Sequence, residues 1–132
     1  MPIGRKKIIK DQVELDLSID QDDLTDEIMN QPLLFKKYSD LDSECQRALN
    51  DCLNYLKLVE AEIHLKVSND NPKMKVRDLE ALVITNDKVQ EIKAKLVELE
   101  EQASKIRGVL RAAQQRHDML KELSYNKRKE LE

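Results

Sequence analysis

The chain has 132 residues, with 37% charged and 3% aromatic side chains, two glycines, three prolines and no tryptophan. So few helix breakers and rings exclude a β-rich fold and indicate long helices in one domain. The formal net charge of −3 indicates no partner by itself. The lack of any apolar run of about eighteen residues excludes a membrane-spanning helix.

The charge is distributed unevenly along the chain. Residues 1–10 carry bases and no acid, residues 11–30 carry acids and no base, and residues 102–129 are rich in bases. This asymmetry indicates basic surfaces for a polyanion and an acidic segment that competes with it. The alternative interpretation is that highly charged helices simply need solvated faces.

The first twenty residues are expected to stay outside the helical core. Residues 1–10 have the composition of a flexible basic arm. The next apolar residues alternate with polar ones at the period of a strand: Val13, Leu15, Leu17 and Ile19. Since no second strand is available, residues 1–20 are predicted to form the arm and an extended acidic segment. Residues 21–30 suit a short helix, which should end before Pro32 because proline restricts the preceding residue.

Two long helices are predicted, over residues 32–67 and 87–129. Between them lie a turn signal, Ser68 to Pro72, and a short helix at residues 77–84. Thr85-Asn86-Asp87 then offers an N-cap, with Asp87 and Gln90 in capping-box spacing. The heptad residues of the first helix are Leu34, Tyr38, Leu41, Cys45, Ala48, Cys52, Tyr55 and Val59. Those of the second are Val89, Ile92, Leu96, Leu99, Ala103, Ile106, Leu110, Ala113, His117 and Leu120.

Two heptad helices joined by a short connection must run antiparallel. The predicted fold is therefore all-α: residues 21–132 form a single helical domain, an antiparallel coiled-coil hairpin of two long helices preceded by a short N-terminal helix. The apolar stripe of the first helix is widened beyond a two-stranded seam by Leu49, Leu53, Leu56 and Ile63. This width predicts a homo-oligomer larger than a dimer.

The sequence offers no constellation for catalysis or metal binding. Glu60 and His64 stand one helical turn apart, but two ligands do not make a zinc site and a solvated pair is the better interpretation. His117 takes a heptad position, where a lone polar residue sets register or oligomeric state. Cys45 and Cys52 lie ~10.5 Å apart on one helix, too far for a disulfide, as suits a reducing cytosol. We expect a cytoplasmic protein that is not an enzyme and uses no cofactor.

Basic residues of the second long helix form a stripe. Arg107, Arg111, Gln114 and Lys121 fall within ~80° of arc beside the seam. Guanidinium and ammonium groups on one face suit a phosphate backbone, without reading bases. Ordinary solvation or coiled-coil flank pairing is the alternative. Tyr125 is the one aromatic residue on this helix that could stack on a base.

Three segments, which together span roughly residues 16–123, carry a resemblance to a known family: "SIDQDDLTDEIMNQPLLFKKYSDL", "VRDLEALVITNDKVQEIKAKL" and "IRGVLRAAQQRHDML". In order and spacing they resemble the UvsY-type recombination mediator proteins of phages. The resemblance implies a DNA-recombination and repair accessory protein that forms ring-like homo-oligomers. Such a protein binds single-stranded DNA without sequence preference and helps to load a recombinase onto strands coated by single-strand binding protein, here in the cytoplasm of a phage's host.

Family members carry bases toward the end of the first long helix. Here that stretch reads "YLKLVEAEIHLKV", in which Glu60 and Glu62 are acidic. The resemblance therefore directs attention to the bases around the corner, ahead of the second-helix stripe: Lys57, Lys66, Lys73, Lys75 and Arg77. Two alternatives involve no DNA: a structural coiled-coil scaffold, chaperone or assembly adaptor, and a regulator that binds a helix of another protein.

Overall fold

The fold is helical throughout the part of the chain that the structure describes. The computed structural model describes the backbone of residues 10–131 and the side chains of residues 12–131. Over these residues it contains α1 (Lys10–Leu17), a 3-10 turn (Gln21–Asp23), α2 (Leu24–Asp70), α3 (Val76–Thr85) and α4 (Asp87–Glu130), and no strand. The prediction of an all-α protein with two long helices packed against each other is confirmed. None of the described helices is long and apolar enough to cross a membrane.

The chain divides into two compact units. Unit 1 comprises Met1–Cys45 together with Ala103–Glu132, and unit 2 comprises Gln46–Gln102. The basic arm predicted for the N-terminus lies outside the described residues, apart from its last residue, with which α1 begins. Unit 1 therefore brings together parts of the chain that are far apart in sequence, whereas unit 2 is one continuous stretch.

In unit 1, α2 and α4 run antiparallel. Glu27 of α2 forms an ion pair with Arg116, whereas Asp42, farther along α2, lies 3.8 Å from Arg107, which is earlier in α4. The buried apolar side chains of this unit come from both helices: Leu24, Tyr38, Cys45, Ala103, Ile106, Ala113 and Leu120.

The core of unit 2 joins the second half of α2 to the start of α4. Its buried cluster comprises Leu56, Val59, Val89 and Ile92, with Cys52, Ile63 and Leu96 packed against it. The heptad assignment of Tyr55 is wrong, because Tyr55 is 48% exposed and Leu56 is buried in its place. A strict 3.5-residue repeat drifts relative to a straight helix of 3.6 residues per turn, so the assignment slips by one position.

The extended segment predicted for residues 13–19 is wrong, since α1 is helical through Leu17. Gln12 donates a hydrogen bond to Asp16 one turn later at 2.8 Å, and Ser18 ends the helix with its hydroxyl on the Leu15 carbonyl. Val13 and Leu17, four residues apart, lie on one helical face and are half-buried, while Leu15 is exposed. The apolar alternation at this site therefore coincides with a helical spacing.

The end of a short helix before Pro32 is also wrong: α2 begins at Leu24 and continues through Pro32. Proline leaves the Ile28 carbonyl without a helical donor. Pro32 is exposed, however, so water can serve this carbonyl, while the preceding Gln31 is buried and anchored to α4. Tertiary packing thus outweighs the local restriction.

The connection between the long helices follows the prediction with one change. The turn lies just after Asp70 and α3 contains the expected short helix. The cap of α4 is Asn86, whose side-chain oxygen accepts from the backbone N–H of Lys88 at 2.9 Å and of Val89 at 3.4 Å. The capping box assigned to Asp87 with Gln90 is therefore wrong; the Gln90 amide bonds to the Ile84 carbonyl instead.

Candidate nucleic-acid interface

The predicted corner residues are exposed cations of unit 2, but they do not form one surface. Lys57 and Lys66 lie on α2, nine residues apart, which turns them to opposite sides of the helix. Lys73 and Lys75 lie in the connection before α3, and Arg77 is the second residue of α3. No ion pair involves any of the five within the described chain. Chain continuity places the last three close together.

The basic stripe of α4 belongs to unit 1 and faces solvent. Arg107 and Arg111 are one turn apart and exposed, and Lys121 is exposed farther along. The Arg107 Nε atom lies 3.8 Å from Asp42, whereas Arg111 and Lys121 form no ion pair among the described residues. The last turn of α4 adds three exposed bases: Lys127, Arg128 and Lys129. By helical rotation Arg128 and Lys129 continue the stripe to the end of the helix, whereas Lys127 lies on the opposite side.

A groove of about 450 Å³ lies between α2 and α4 in unit 1. Its apolar floor has Ile28, Pro32 and Phe35 from α2 and Leu120 from α4, and its lining residues also include Gln31 of α2. One wall is a polar face of α4, with residues at spacings of four, three and four: His117, Lys121, Ser124 and Arg128. Among the described residues no carboxylate lines this groove, so its charged groups suit an anion.

One base of α4 is buried and has an internal role. The Arg116 side chain is only 6% exposed; it pairs with Glu27, donates to the Gln31 side chain at 2.5 Å and donates to the Ser18 carbonyl at 3.2 Å. Gln31 in turn donates to the Ala113 carbonyl at 2.9 Å. Arg116 therefore contributes to packing and adds little to the basic surface.

The seam position assigned to His117 is also wrong. Its side chain is 55% exposed, while Arg116 is buried. Ala113 and Leu120 are both buried, and either Arg116 or His117 could lie on the same helical face between them. Steps of three then four residues and of four then three residues are both helical spacings. The sequence signal for the correct choice was the acid and amide, Glu27 and Gln31, which sit one turn apart on the partner helix.

A second polar cluster holds α1 against α2. Asp16 accepts hydrogen bonds from the Lys37 ammonium at 2.6 Å and from the Tyr38 hydroxyl at 2.7 Å. Burial tends to raise the pKa of Asp16, but the bonds from Lys37, Tyr38 and Gln12 outweigh it and lower that pKa. Burial and the neighbouring Asp16 carboxylate raise the pKa of Tyr38, which stays a neutral donor. Asp16 therefore attaches α1 to α2 as a charged hydrogen-bond acceptor.

The described residues contain no cluster of side chains that could hold a metal ion, since no group of three or more His, Cys, Asp or Glu among them is placed to do so. Both cysteines are free. Burial, and to a smaller extent the nearby carboxylates, raises the pKa of the Cys45 thiol and so keeps it protonated. What the geometry does offer is a cationic face beside an apolar groove.

Comparisons with family models, with curated proteins and with solved structures each return no match. The structure itself therefore defines the class: over the described residues this is an all-helical protein whose two long helices pack against each other.

Proposed function

We propose that this protein is a DNA-recombination accessory protein of the mediator type. It binds single-stranded DNA without sequence preference and helps to load a recombinase onto DNA coated by single-strand binding protein. It acts in the cytoplasm, that of the host cell if a phage encodes it, and as a binding protein without catalysis. The resemblance to UvsY-type proteins motivates this proposal, and the cationic face of α4 is the observation that carries it.

The α4 face suits a phosphate backbone because its cations are exposed and largely unpaired. Arg111 and Lys121 lie on one side of a single helix and have no carboxylate partner in the described chain. Contacts to phosphate fix a strand in place and carry no base information, which suits binding independent of sequence. The α4 face is the primary site in this proposal, and the corner bases are a secondary one.

Self-association would multiply such contacts. Along the second half of α2, Tyr55, Leu58 and Leu65 are exposed apolar residues at helical spacings, outside the buried core of unit 2. Exposed apolar side chains in one row are typical of an interface with another chain. A homo-oligomer would present many weak sites to one strand and raise the apparent affinity.

The test is fluorescence anisotropy of a labelled single-stranded oligonucleotide over a salt series. Three or four phosphate contacts per subunit give a slope of about −2 to −3 in log K against log salt. Changing Arg107, Arg111 and Lys121 together to Glu should weaken binding strongly and flatten the slope. The triple change of the corner bases Lys73, Lys75 and Arg77 serves as the matched comparison, with the same number of charges reversed.

Far-UV circular dichroism and light scattering accompany each variant, because a loss of helicity or a change of oligomer size would mimic a binding defect. If the corner variant loses affinity and the α4 variant keeps it, the α4 face is not the primary site. If the wild-type protein shows no salt-dependent binding, the DNA proposal is wrong. The exposed apolar row on α2 then favours a structural scaffold or assembly adaptor, whose partner is another protein.

A further inference from the structure

We infer that the groove of unit 1 binds a nucleobase of single-stranded DNA, with Phe35 contacting the base and Lys121 and Arg128 holding flanking phosphates. This inference rests on the proposed function and names a site within it. In the sequence, Phe35 lies more than eighty residues before Lys121 and Arg128, so the site exists only through the packing of α2 against α4.

The floor of the groove gives a base an apolar surface. Phe35 is 37% exposed, so part of its ring is open to the groove, and Ile28, Pro32 and Leu120 surround it with apolar groups. Each nucleobase has a π-face that stacks on aromatic rings whatever its identity, which preserves binding independent of sequence. The volume of about 450 Å³ lies within the range of small-ligand pockets.

The wall of the groove supplies the charge for the backbone on either side of that base. Lys121 and Arg128 form no ion pair in the described chain, and Ser124 between them offers a hydroxyl donor. His117 also lines this wall and contacts Asp118 at 3.3 Å. Guanidinium groups bind phosphate oxygens bidentately and ammonium groups act as point charges. Cations beside an aromatic ring are the usual elements of single-strand binding surfaces.

A polyanion longer than the groove fits these observations better than a short acidic peptide does. Lys121 belongs both to the groove wall and to the stripe, which extends back along α4 to Arg107. The distance from Arg107 to Arg128 along the helix is about 32 Å. A DNA strand carries a phosphate at every nucleotide and can contact the cations along this whole length. A short acidic peptide would occupy the groove alone and leave the rest of the stripe without a role.

The experiment compares two labelled oligonucleotides of equal length, oligothymidine and an abasic strand with the same phosphates. Wild-type protein is expected to bind oligothymidine roughly tenfold more tightly than the abasic strand, the scale of one base stacked on an aromatic ring. Phe35→Leu keeps the apolar floor and removes the ring, so it should abolish this preference and leave the salt slope unchanged. Tyr125→Leu tests the other aromatic residue that the sequence offers for stacking; since Tyr125 does not line the groove, this variant should retain the preference.

Arg128→Glu provides a second variant that leaves the floor intact. It should weaken binding of both strands and reduce the salt slope by about 0.7 per lost phosphate contact. Equal binding of both strands by the wild-type protein, with Phe35→Leu unchanged, would overturn the base site and leave phosphate binding in place. Binding of neither strand would instead reject the proposed function itself.

An acidic peptide with one phenylalanine serves as the competing ligand. If it binds the wild-type protein and not Phe35→Leu, while oligothymidine binding does not depend on Phe35, the groove is a protein-docking site and the inference is overturned. If excess unlabelled oligothymidine displaces the labelled oligothymidine and the peptide does not, the result supports the base site.

Discussion

Replacing Arg116 with methionine should destabilise the protein by about 3 kcal/mol. Removing one partner from a buried ion pair typically costs about 3–5 kcal/mol, because the other charge is left without compensation. Glu27 retains 22% exposure and can recover some hydration, which places the expected cost at the lower end. The change also deprives the Gln31 side chain and the Ser18 carbonyl of their donor.

Thermal denaturation followed by circular dichroism measures this effect. A loss of about 3 kcal/mol corresponds to a fall in Tm of roughly 12 °C for a chain of this size. Arg111→Met is the matched control: it removes the same side chain from an exposed position without an ion pair and should stay within about 0.5 kcal/mol of wild type.

A double change separates the charge from the packing. Glu27→Gln combined with Arg116→Met removes both ions and should cost about 0.5–3 kcal/mol less than the sum of the two single changes, as expected for groups in direct contact. The reasoning would be refuted if Arg116→Met were no more destabilising than Arg111→Met, since the buried network would then contribute nothing to stability.

Two further predictions concern α1 and the core of unit 2. Because hydrogen bonds lower the pKa of Asp16, its contribution to the free energy of unfolding is present above about pH 4 and is lost as the pH falls below that. Urea unfolding should therefore show Asp16→Asn less stable than wild type at pH 7, and this difference in stability should close near pH 2. An equal gap at both pH values would contradict this role. Leu56→Ala should cost about 2–5 kcal/mol and Tyr55→Ala under about 1 kcal/mol in the same assay; the reverse order would favour the heptad assignment of Tyr55.

The apolar periodicity of the sequence was enough to predict the long helices and most of their buried positions. Val59, Val89 and Leu99 are buried as the heptad pattern indicates, because a residue of the right size on the inner face can hardly lie elsewhere. The pattern failed where two neighbouring residues fitted it equally well. At Tyr55 and Leu56 the choice depended on the true helical repeat, which a strict heptad does not represent.

The N-terminal segment and the groove depended on contacts between distant parts of the chain. Nothing in the local sequence shows that Asp16 will meet Lys37, or that Phe35 will lie beside Lys121, since both pairings follow from how helices pack. Propensity rules also misjudged Pro32, which the buried anchor of Gln31 overrides. The bases of the candidate interface are exposed, and their role in binding stays a prediction.

The division into units has a consequence for how the chain folds during synthesis. Unit 2, Gln46–Gln102, is continuous and can close its core as soon as the ribosome has released its last residues. Unit 1 must wait, because Arg116, which contacts both Glu27 and Gln31, is made more than eighty residues after them. Until α4 is made, these two polar side chains of α2 lack their tertiary partner. Since chains fold as they emerge, the core of unit 2 can close before unit 1 has all its parts.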